Sequence, residues 1–208
     1  ASCQRWEHGY YAAWRHLCAE QPDAIVFLGD YIYEYASANV PAAALARSHT
    51  LRHTRSLADY RDRYALHRSD PDLQVAHALC PWIVTWDDHE VENDYAGDQG
   101  QEDPADFLLR RAAAYQAFYE NMPLRASALV HGLVGLDRPD AVRVNDRLAH
   151  GQLLRFHVLD TRQHRDFQAC RAVGSTGSGS VAPKDCPDLT NAGRSLLGTA
   201  QGVKTLDY

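Results

Sequence analysis

The chain has 208 residues, of which 45% are hydrophobic and 23% charged, and this ordinary balance favours a soluble globular protein with a real core. Its formal net charge is -6 and it contains no block of lysine and arginine, which argues against a surface that binds nucleic acid through its phosphates. No window of about twenty apolar residues occurs, so we expect no transmembrane segment, and we find no signal-peptide pattern.

Apolar periodicity predicts four helices and three strands along the chain. The helices are predicted over residues 10–20, 56–64, 69–80 and 103–121, the strands over 24–28, 82–86 and 153–159, and irregular chain over 35–53. Ser56 followed by Asp59, and Pro71 in a first turn, are typical of helix N-termini. We find no internal repeat and no linker, so residues 1–208 are expected to form one α/β domain.

Two of the predicted strands stop abruptly at polar side chains. The first ends in Gly29-Asp30, and the second ends in the run Asp87-Asp88-His89-Glu90. If the two strands are parallel neighbours, these groups lie together at the carboxyl edge of one sheet, where open α/β sheets place their chemistry. Several carboxylates with one imidazole indicate a metal-dependent hydrolase.

Each of these residues has an ordinary alternative role. Asp30 can bridge two cations, one per carboxylate oxygen, but Gly-Asp is also a common turn pair and a common helix cap. Asp88 can bind a second metal, and His89 can donate a proton to a leaving group or stabilise a phosphoryl oxygen. The alternative for this run is an exposed acidic turn, although the apolar residues before it make full exposure unfavourable.

Three further residues are weaker candidates. Tyr33 is a poor ligand as a neutral phenol, and on spacing alone it is better explained as an aromatic packed over the strand end. Arg162, after the third predicted strand, can hold a phosphate through two hydrogen bonds, or it can pair with Asp160 or Asp166. Cys3 taken alone carries no information, because most free cysteines are inert.

The five cysteines include no Cys-x-x-Cys pair, so a zinc knuckle is not expected. Cys170 and Cys186 bracket a glycine- and serine-rich loop over 174–180, and a disulfide there would stabilise the fold by roughly 3 kcal/mol and indicate an oxidising compartment. The alternative is two free thiols. Four histidines are expected on helix or loop surfaces: His49, His53, His67 and His77.

Beyond these local patterns, the chain resembles a known family along nearly its whole length. The resemblance rests on segments 2–4, 29–34, 86–91, 110–117 and 159–163, which include Gly-Asp-Tyr-Ile-Tyr-Glu and Trp-Asp-Asp-His-Glu. These segments closely resemble the PhoD-type alkaline phosphatases, which are phosphodiesterases and phosphomonoesterases of the calcineurin-like metallophosphoesterase superfamily. The resemblance implies a sandwich of sheets flanked by helices and a phosphate ester substrate. It also implies a location outside the cytoplasm, whether extracellular, periplasmic or in the cell wall.

The resemblance also implies the metals and their ligands. It implies a ferric iron with a neighbouring calcium, and a metal-activated hydroxide that attacks phosphorus. Cys3 resembles the thiolate ligand of the iron and Tyr33 its phenolate ligand, while Asp30 is similar to the carboxylate that bridges the metals. Asp88 stands where the superfamily usually has the asparagine of its Gly-Asn-His motif, and His89 matches the catalytic histidine.

One family feature is not found. A late Gly-Asp-x-His motif that supplies further ligands has no match here, and His150, His157 and His164 do not replace it. We therefore expect an incomplete, amino-terminal part of the catalytic domain, with the family pattern lost after Gln201. Two alternatives stay open: a catalytically incomplete fragment that acts as a binding or association module, self-associating through an exposed sheet edge, and a different metallohydrolase that uses the same cluster.

Overall fold

The computed structural model describes residues 1–39, 41–172, 180–199 and 201. The helices are α1 (Ala12–Ala19), α2 (Leu57–Arg68), α3 (Pro71–Leu79) and α4 (Pro104–Asn121), and the strands are β1 (Ile25–Phe27), β2 (Trp82–Val84), β3 (Asp146–His150) and β4 (Leu154–Val158). Every predicted helix and strand is therefore confirmed, with shorter strands than predicted. The segment 35–53 holds only short 3-10 turns at Ser37–Asn39 and Ala42–Ala44. Most of the predicted loop over 174–180 and the residues after Gln201 lie outside the described residues.

The first two strands form the parallel pair that the sequence predicts. Ile25 pairs with Trp82 and Phe27 with Val84, so the two strands end at the same level. The connection between them runs through α2 and α3. Because the strands are in register, the residues that follow each strand emerge side by side.

The third predicted strand is confirmed as β4, but its partner β3 is missing from the sequence prediction. The two strands pair antiparallel, with Leu148 opposite Phe156. Both are mostly exposed, so β3 lacks the alternation of apolar and polar residues that identifies a half-buried strand. The described strands form two two-stranded sheets, so the chain is a mixed helix and strand fold and the complete sandwich stays a prediction.

The amino-terminal residues lie along the outer edge of β1. The Ala1 amine donates to the Val26 carbonyl at 2.8 Å, the Leu28 N–H donates to the Ala1 carbonyl at 2.9 Å, and the Cys3 N–H donates to the Gly29 carbonyl at 3.0 Å. From the sequence we expected an exposed sheet edge available for self-association. That expectation is wrong for β1, because the chain itself satisfies these backbone groups.

An aromatic core lies beneath the parallel pair and supports its carboxyl end. Trp14 of α1 packs against Trp82 with ring centroids 5.1 Å apart, and Trp86 stacks on Tyr115 of α4 at 4.5 Å. Such pairs contribute roughly 0.5–1.5 kcal/mol each beyond the area that they bury. The core therefore fixes the strand ends from both α1 and α4.

Local signals at the helix ends agree with the sequence prediction. The Ser56 hydroxyl accepts from the Asp59 N–H at 3.3 Å and the Asp59 carboxylate accepts from the Ser56 N–H at 2.8 Å, which is a complete capping box. Pro71 and Pro104 occupy first-turn positions behind aspartate caps. Replacing such a cap by alanine typically costs about 1 kcal/mol.

The predicted disulfide is confirmed between Cys170 and Cys186, whose Cα atoms are 5.5 Å apart.

Among the described residues, no helix combines the length and the apolar character that crossing a bilayer requires.

Two of the histidines expected on surfaces are buried instead. His67 on α2 is 1% exposed, and its Nδ1 lies 3.0 Å from the Arg63 carbonyl. The side chain of His49 is 4% exposed. The surface prediction is wrong for His67 because the buried face of α2 carries polar and aromatic side chains. It is wrong for His49 because its ring packs near Trp6 and its Nε2 lies 3.3 Å from Glu7 Oε1. Polarity alone does not reveal such burial.

The buried His67 predicts acid sensitivity. Burial lowers its pKa from 6.5 to about 3, so below pH 6.5 the unfolded chain takes up a proton that the folded chain does not. The free energy of unfolding should therefore fall as the pH drops from 6.5 towards 3, and between pH 7 and pH 5 this group contributes about 2 kcal/mol of the loss. Urea unfolding of His67→Gln at both pH values should show a smaller loss. The exposed His16→Gln serves as the control, and equal losses in both variants would contradict the assignment.

Candidate metal centre

A close approach of two backbone segments creates the site. Gly29 has a φ of +100°, and a Cβ placed on it would lie 2.2 Å from the Asp87 backbone nitrogen and 2.6 Å from the Trp86 carbonyl carbon. Only glycine fits both the backbone angle and the contact. The turn after β1 is therefore pressed directly against the turn after β2.

The two turns bring two carboxylates and one imidazole together. Asp30, Asp88 and His89 each offer a ligand atom, and these atoms lie within 4.8 Å of one another. Asp30 and Asp88 are each 6% exposed. Burial raises the pKa of Asp30, and the charges of Asp88 and Asp87 raise it further, although His89 opposes them. A cation would relieve this unfavourable charge arrangement.

Cys3 and Tyr33 converge on one oxygen of Asp30. The Cys3 thiol donates to Asp30 Oδ2 at 3.4 Å, and the Tyr33 hydroxyl donates to the same oxygen at 3.1 Å. The backbones of Cys3 and Asp30 are left-handed, with φ of 57° and 56°, a conformation that costs of order 1–3 kcal/mol in most residues. Such strain is typical of a functional site.

The thiol and the phenol are not ionised by the protein alone. Burial raises the pKa of Cys3, and burial with the charge of Asp30 raises the pKa of Tyr33 well above its usual range. Both groups would become strong ligands only if a cation stabilised their anions. The interpretation of Cys3 therefore changes most between sequence and structure, because its own sequence context gave it no role.

His89 is oriented by a glutamate that the sequence analysis did not single out. His89 Nδ1 lies 2.7 Å from Glu34 Oε2, and the other Glu34 oxygen accepts from the Asn93 N–H at 2.9 Å. Burial alone would lower the pKa of His89, but the hydrogen bond and charge of Glu34, with the charges of Asp88 and Asp30, raise it to about 9. Because Glu34 engages Nδ1, Nε2 is the ring nitrogen left for chemistry. The signal for Glu34 was its place at the end of the Gly-Asp-Tyr-Ile-Tyr-Glu segment.

Helix α2 fixes the backbone between Tyr33 and Tyr35. The Arg63 guanidinium is 1% exposed and donates to the carbonyls of Tyr33 and Tyr35, the second at 2.6 Å. The Tyr33 ring lies 4.2 Å from the His89 ring, measured between centroids. The buried arginine therefore holds the aromatic wall against which the imidazole packs.

Arg162 lies against the acidic run rather than against Asp160 or Asp166. Its Nε donates to Asp87 Oδ1 at 2.5 Å, and its Nη2 lies 3.4 Å from Asp88 Oδ1. Asp160 instead accepts the backbone N–H of Arg162. The buried Nη1 of Arg162 has no hydrogen-bond partner among the described residues, so one donor of the guanidinium is available for a ligand.

Two further carboxyl residues join this environment. Asp88 Oδ2 accepts from the Asp94 N–H at 2.6 Å. Glu90 is 1% exposed and contacts the backbone of both turns. Burial, followed by the charge of Asp30, raises the pKa of Glu90 to about 8.

The donor set fits a metal centre. Two buried carboxylates and an imidazole converge at one point, with a thiol and a phenol on the same side of Asp30. Carboxylate oxygens suit hard cations, while a thiolate with a phenolate suits a transition metal better than magnesium. Asp30, Asp88 and His89 form the core of the cluster, Cys3 and Tyr33 join it through Asp30, and Arg162 borders it.

Comparisons with known proteins identify relatives of this chain. A family model described as PhoD-like phosphatase matches residues 1–205. Alkaline phosphatase D of Bacillus subtilis (strain 168) is 47% identical over 205 residues, which are 97% of this chain and 32% of that protein. A solved structure titled "Structure of PhoD" matches with a TM-score of 0.83 and 44% identity, covering 98% of this chain and 37% of that chain. The chain thus spans about a third of the length of the relatives it matches.

Proposed function

This chain belongs to the PhoD-like phosphatase family, and we therefore propose that it forms part of a metal-dependent phosphoric ester hydrolase that acts on phosphodiesters and phosphomonoesters. The observation that carries the proposal is the convergence of Asp30, Asp88 and His89 at the ends of two parallel strands. The relative from Bacillus subtilis is named alkaline phosphatase D, and that name supports the same reaction class.

The proposed metals are ferric iron and calcium. Cys3 and Tyr33, with one oxygen of Asp30, would hold the iron, because thiolate and phenolate donors favour a charged transition metal. Asp30 and Asp88 would hold the calcium, whose preferred ligands are oxygens. When bound, the two cations would polarise the phosphoryl oxygens and activate the attacking water.

The residues of the chain have separate tasks in this proposal. His89, oriented through Nδ1 by Glu34, presents Nε2 and would protonate the departing alkoxide oxygen. Arg162 would hold a phosphoryl oxygen through Nη1, which has no partner in the described part of the chain, while its other nitrogens stay on Asp87 and Asp88. These two groups border the Asp30 cluster and would orient the ester for in-line attack.

His89→Asn is expected to lower kcat by about 10²–10⁴, because general acid catalysis contributes that much. His157→Asn on the exposed face of β4 is the matched control and should leave kcat unchanged. Steady-state hydrolysis of bis(p-nitrophenyl) phosphate at saturating iron and calcium measures both. Equal kcat values for the two variants would show that His89 does not act as the general acid.

The proposed location is outside the cytoplasm, in an extracellular, periplasmic or cell-wall environment. The Cys170–Cys186 disulfide supports this location, because disulfides persist in oxidising compartments and are rare in the cytosol.

A second candidate function is a catalytically incomplete unit that binds or associates without turnover. Its support is an apolar groove of about 380 Å³ between the parallel pair and β4, lined in part by Val26, Ile83, Phe156 and Val158. At the end of β1, Leu28 is 59% exposed beside this groove. A groove of this kind is suited to covering by another polypeptide segment.

Metal analysis combined with turnover distinguishes the two candidates. For the hydrolase we expect tightly held iron and calcium, a visible charge-transfer band from phenolate to iron, and hydrolysis of a chromogenic phosphodiester. For the association unit we expect colourless, inactive protein whose mass by light scattering exceeds one chain. Colourless monomeric protein without activity would overturn both.

A further inference from the structure

Glu90 occupies an unusual place between the two turns of the metal centre. Its side chain is 1% exposed, and each of its carboxylate oxygens accepts a backbone hydrogen bond. Oε1 accepts from the Tyr31 N–H at 2.6 Å, and Oε2 accepts from the Asp87 N–H at 2.9 Å. One side chain therefore bridges two backbone segments that are more than fifty residues apart in sequence.

The two amides flank the candidate ligands. Tyr31 follows Asp30, and Asp87 precedes Asp88, so each hydrogen bond fixes the backbone N–H of a residue next to a carboxylate residue of the cluster. The β1–β2 hydrogen-bond ladder reaches only as far as the Thr85 N–H on the Phe27 carbonyl. Beyond that point neither amide has a strand partner, and a buried amide without a partner is unfavourable.

The backbone at Asp30 needs this support. Its φ of 56° is left-handed, a conformation that persists in a non-glycine residue only when its surroundings determine it. Another described contact joins the turns through a side chain, the His89 N–H on Asp30 Oδ1, and it is longer, at 3.4 Å. It also uses the Asp30 carboxylate itself, which would be engaged by a cation.

We propose that Glu90 is a positioning residue whose carboxylate clamps the Asp30 turn to the Asp88 turn and thereby sets the spacing of these two metal ligands. The inference rests on the proposed function, since the ligands that Glu90 spaces are those of the proposed centre. Glu90 itself contacts backbone amides and would not bind the cation. Its effect on chemistry is exerted through the placement of Asp30 and Asp88.

Glu92 is a matched control on the same segment. It is also a buried glutamate, 4% exposed, but its carboxylate accepts from Arg110 and from the Gln101 N–H at 2.8 Å. None of these donors belongs to the Asp30 or Asp88 turn. Glu92→Gln therefore makes the same substitution at a buried glutamate of the same segment without loosening the cluster.

The test titrates Ca²⁺ into the iron-loaded chain by calorimetry for Glu90→Gln, Glu90→Asp and Glu92→Gln. The glutamine at 90 places an NH₂ group against one backbone N–H, and the aspartate is too short to reach both amides. We expect the Kd for Ca²⁺ to rise about tenfold or more in both Glu90 variants, since each loses one buried hydrogen bond. Glu92→Gln should change it less than about threefold at a similar fall in Tm.

Amide hydrogen exchange at Tyr31 and Asp87 gives a second readout that does not depend on bound metal. Both amides should exchange faster in Glu90→Gln than in Glu92→Gln. Unchanged exchange together with a Kd equal to that of Glu92→Gln would overturn the positioning role. If the unsubstituted chain binds no Ca²⁺, the proposed function fails, and the exchange rates alone decide whether Glu90 joins the two turns.

Discussion

Asp30→Asn is expected to abolish retention of both cations. Asp30 Oδ2 accepts from the Cys3 thiol and the Tyr33 hydroxyl, and Oδ1 faces the His89 N–H, so both oxygens are directed into the cluster. A carboxamide keeps the size of the side chain but loses the negative charge and turns one acceptor into a donor. We expect less than one metal ion per ten chains after dialysis, and loss of the charge-transfer band.

The same substitution should not weaken the fold. Burial raises the pKa of Asp30, which means that the folded protein disfavours its charged form. A neutral side chain at position 30 removes that penalty above the ordinary aspartate pKa, so the metal-free variant should have a Tm equal to or above that of the metal-free parent.

Asp146→Asn on β3, whose side chain is 48% exposed, is the control and should retain both metals. Metal content by mass spectrometry and Tm without metal separate loss of a ligand from loss of structure. If Asp30→Asn held both metals as well as the parent, the bridging role of Asp30 would be wrong.

Gly29→Ala is expected to destabilise the protein by about 3 kcal/mol or more. The added Cβ would meet the Asp87 nitrogen at 2.2 Å, and the φ of +100° is itself unfavourable for alanine. Overpacking typically costs about 1–3 kcal/mol and a strained backbone angle a similar amount. For a domain of this size the Tm should fall by roughly 10 °C.

Gly151→Ala separates the two contributions. Gly151 also has a positive φ, of 58°, but no atom lies within 4 Å of its added Cβ. It should therefore show the backbone cost without the clash, and urea unfolding of both variants gives the difference. If Gly29→Ala were no more destabilising than Gly151→Ala, the close contact between the two turns would not exist in solution.

Local signals explain why most elements could be predicted. The capping box at Ser56 and Asp59, the first-turn Pro71 and the apolar strands before Gly29 and Asp87 are each determined by residues adjacent in sequence. Strand β3 could not be predicted, because its residues are exposed and its stability comes from pairing with β4. The buried His67 could not be predicted either, since a polar residue reveals its burial only through its neighbours.

Some residues of the site could likewise be predicted from the sequence, and others could not. Asp30, Asp88 and His89 could be predicted to meet because two parallel strands in register place their following residues side by side. The position of Cys3 depends on hydrogen bonds along the β1 edge. Arg162 pairs with Asp87, and not with the nearby Asp160 or Asp166, through side-chain packing against the turn after β2, which lies far from it in sequence.

The family, the order of helices and strands, and the acidic residues at two strand ends could be derived from the sequence, because periodicity, caps and motifs depend on neighbouring residues. The folded chain was needed to show that Cys3 and Tyr33 share one oxygen of Asp30, that Glu34 orients His89, and that Glu90 joins both turns. The contacts of Cys3 with Asp30, of Glu34 with His89 and of Glu90 with Tyr31 join segments roughly thirty to sixty residues apart, and chain closure over such distances is fixed by packing of the whole core rather than by local preference.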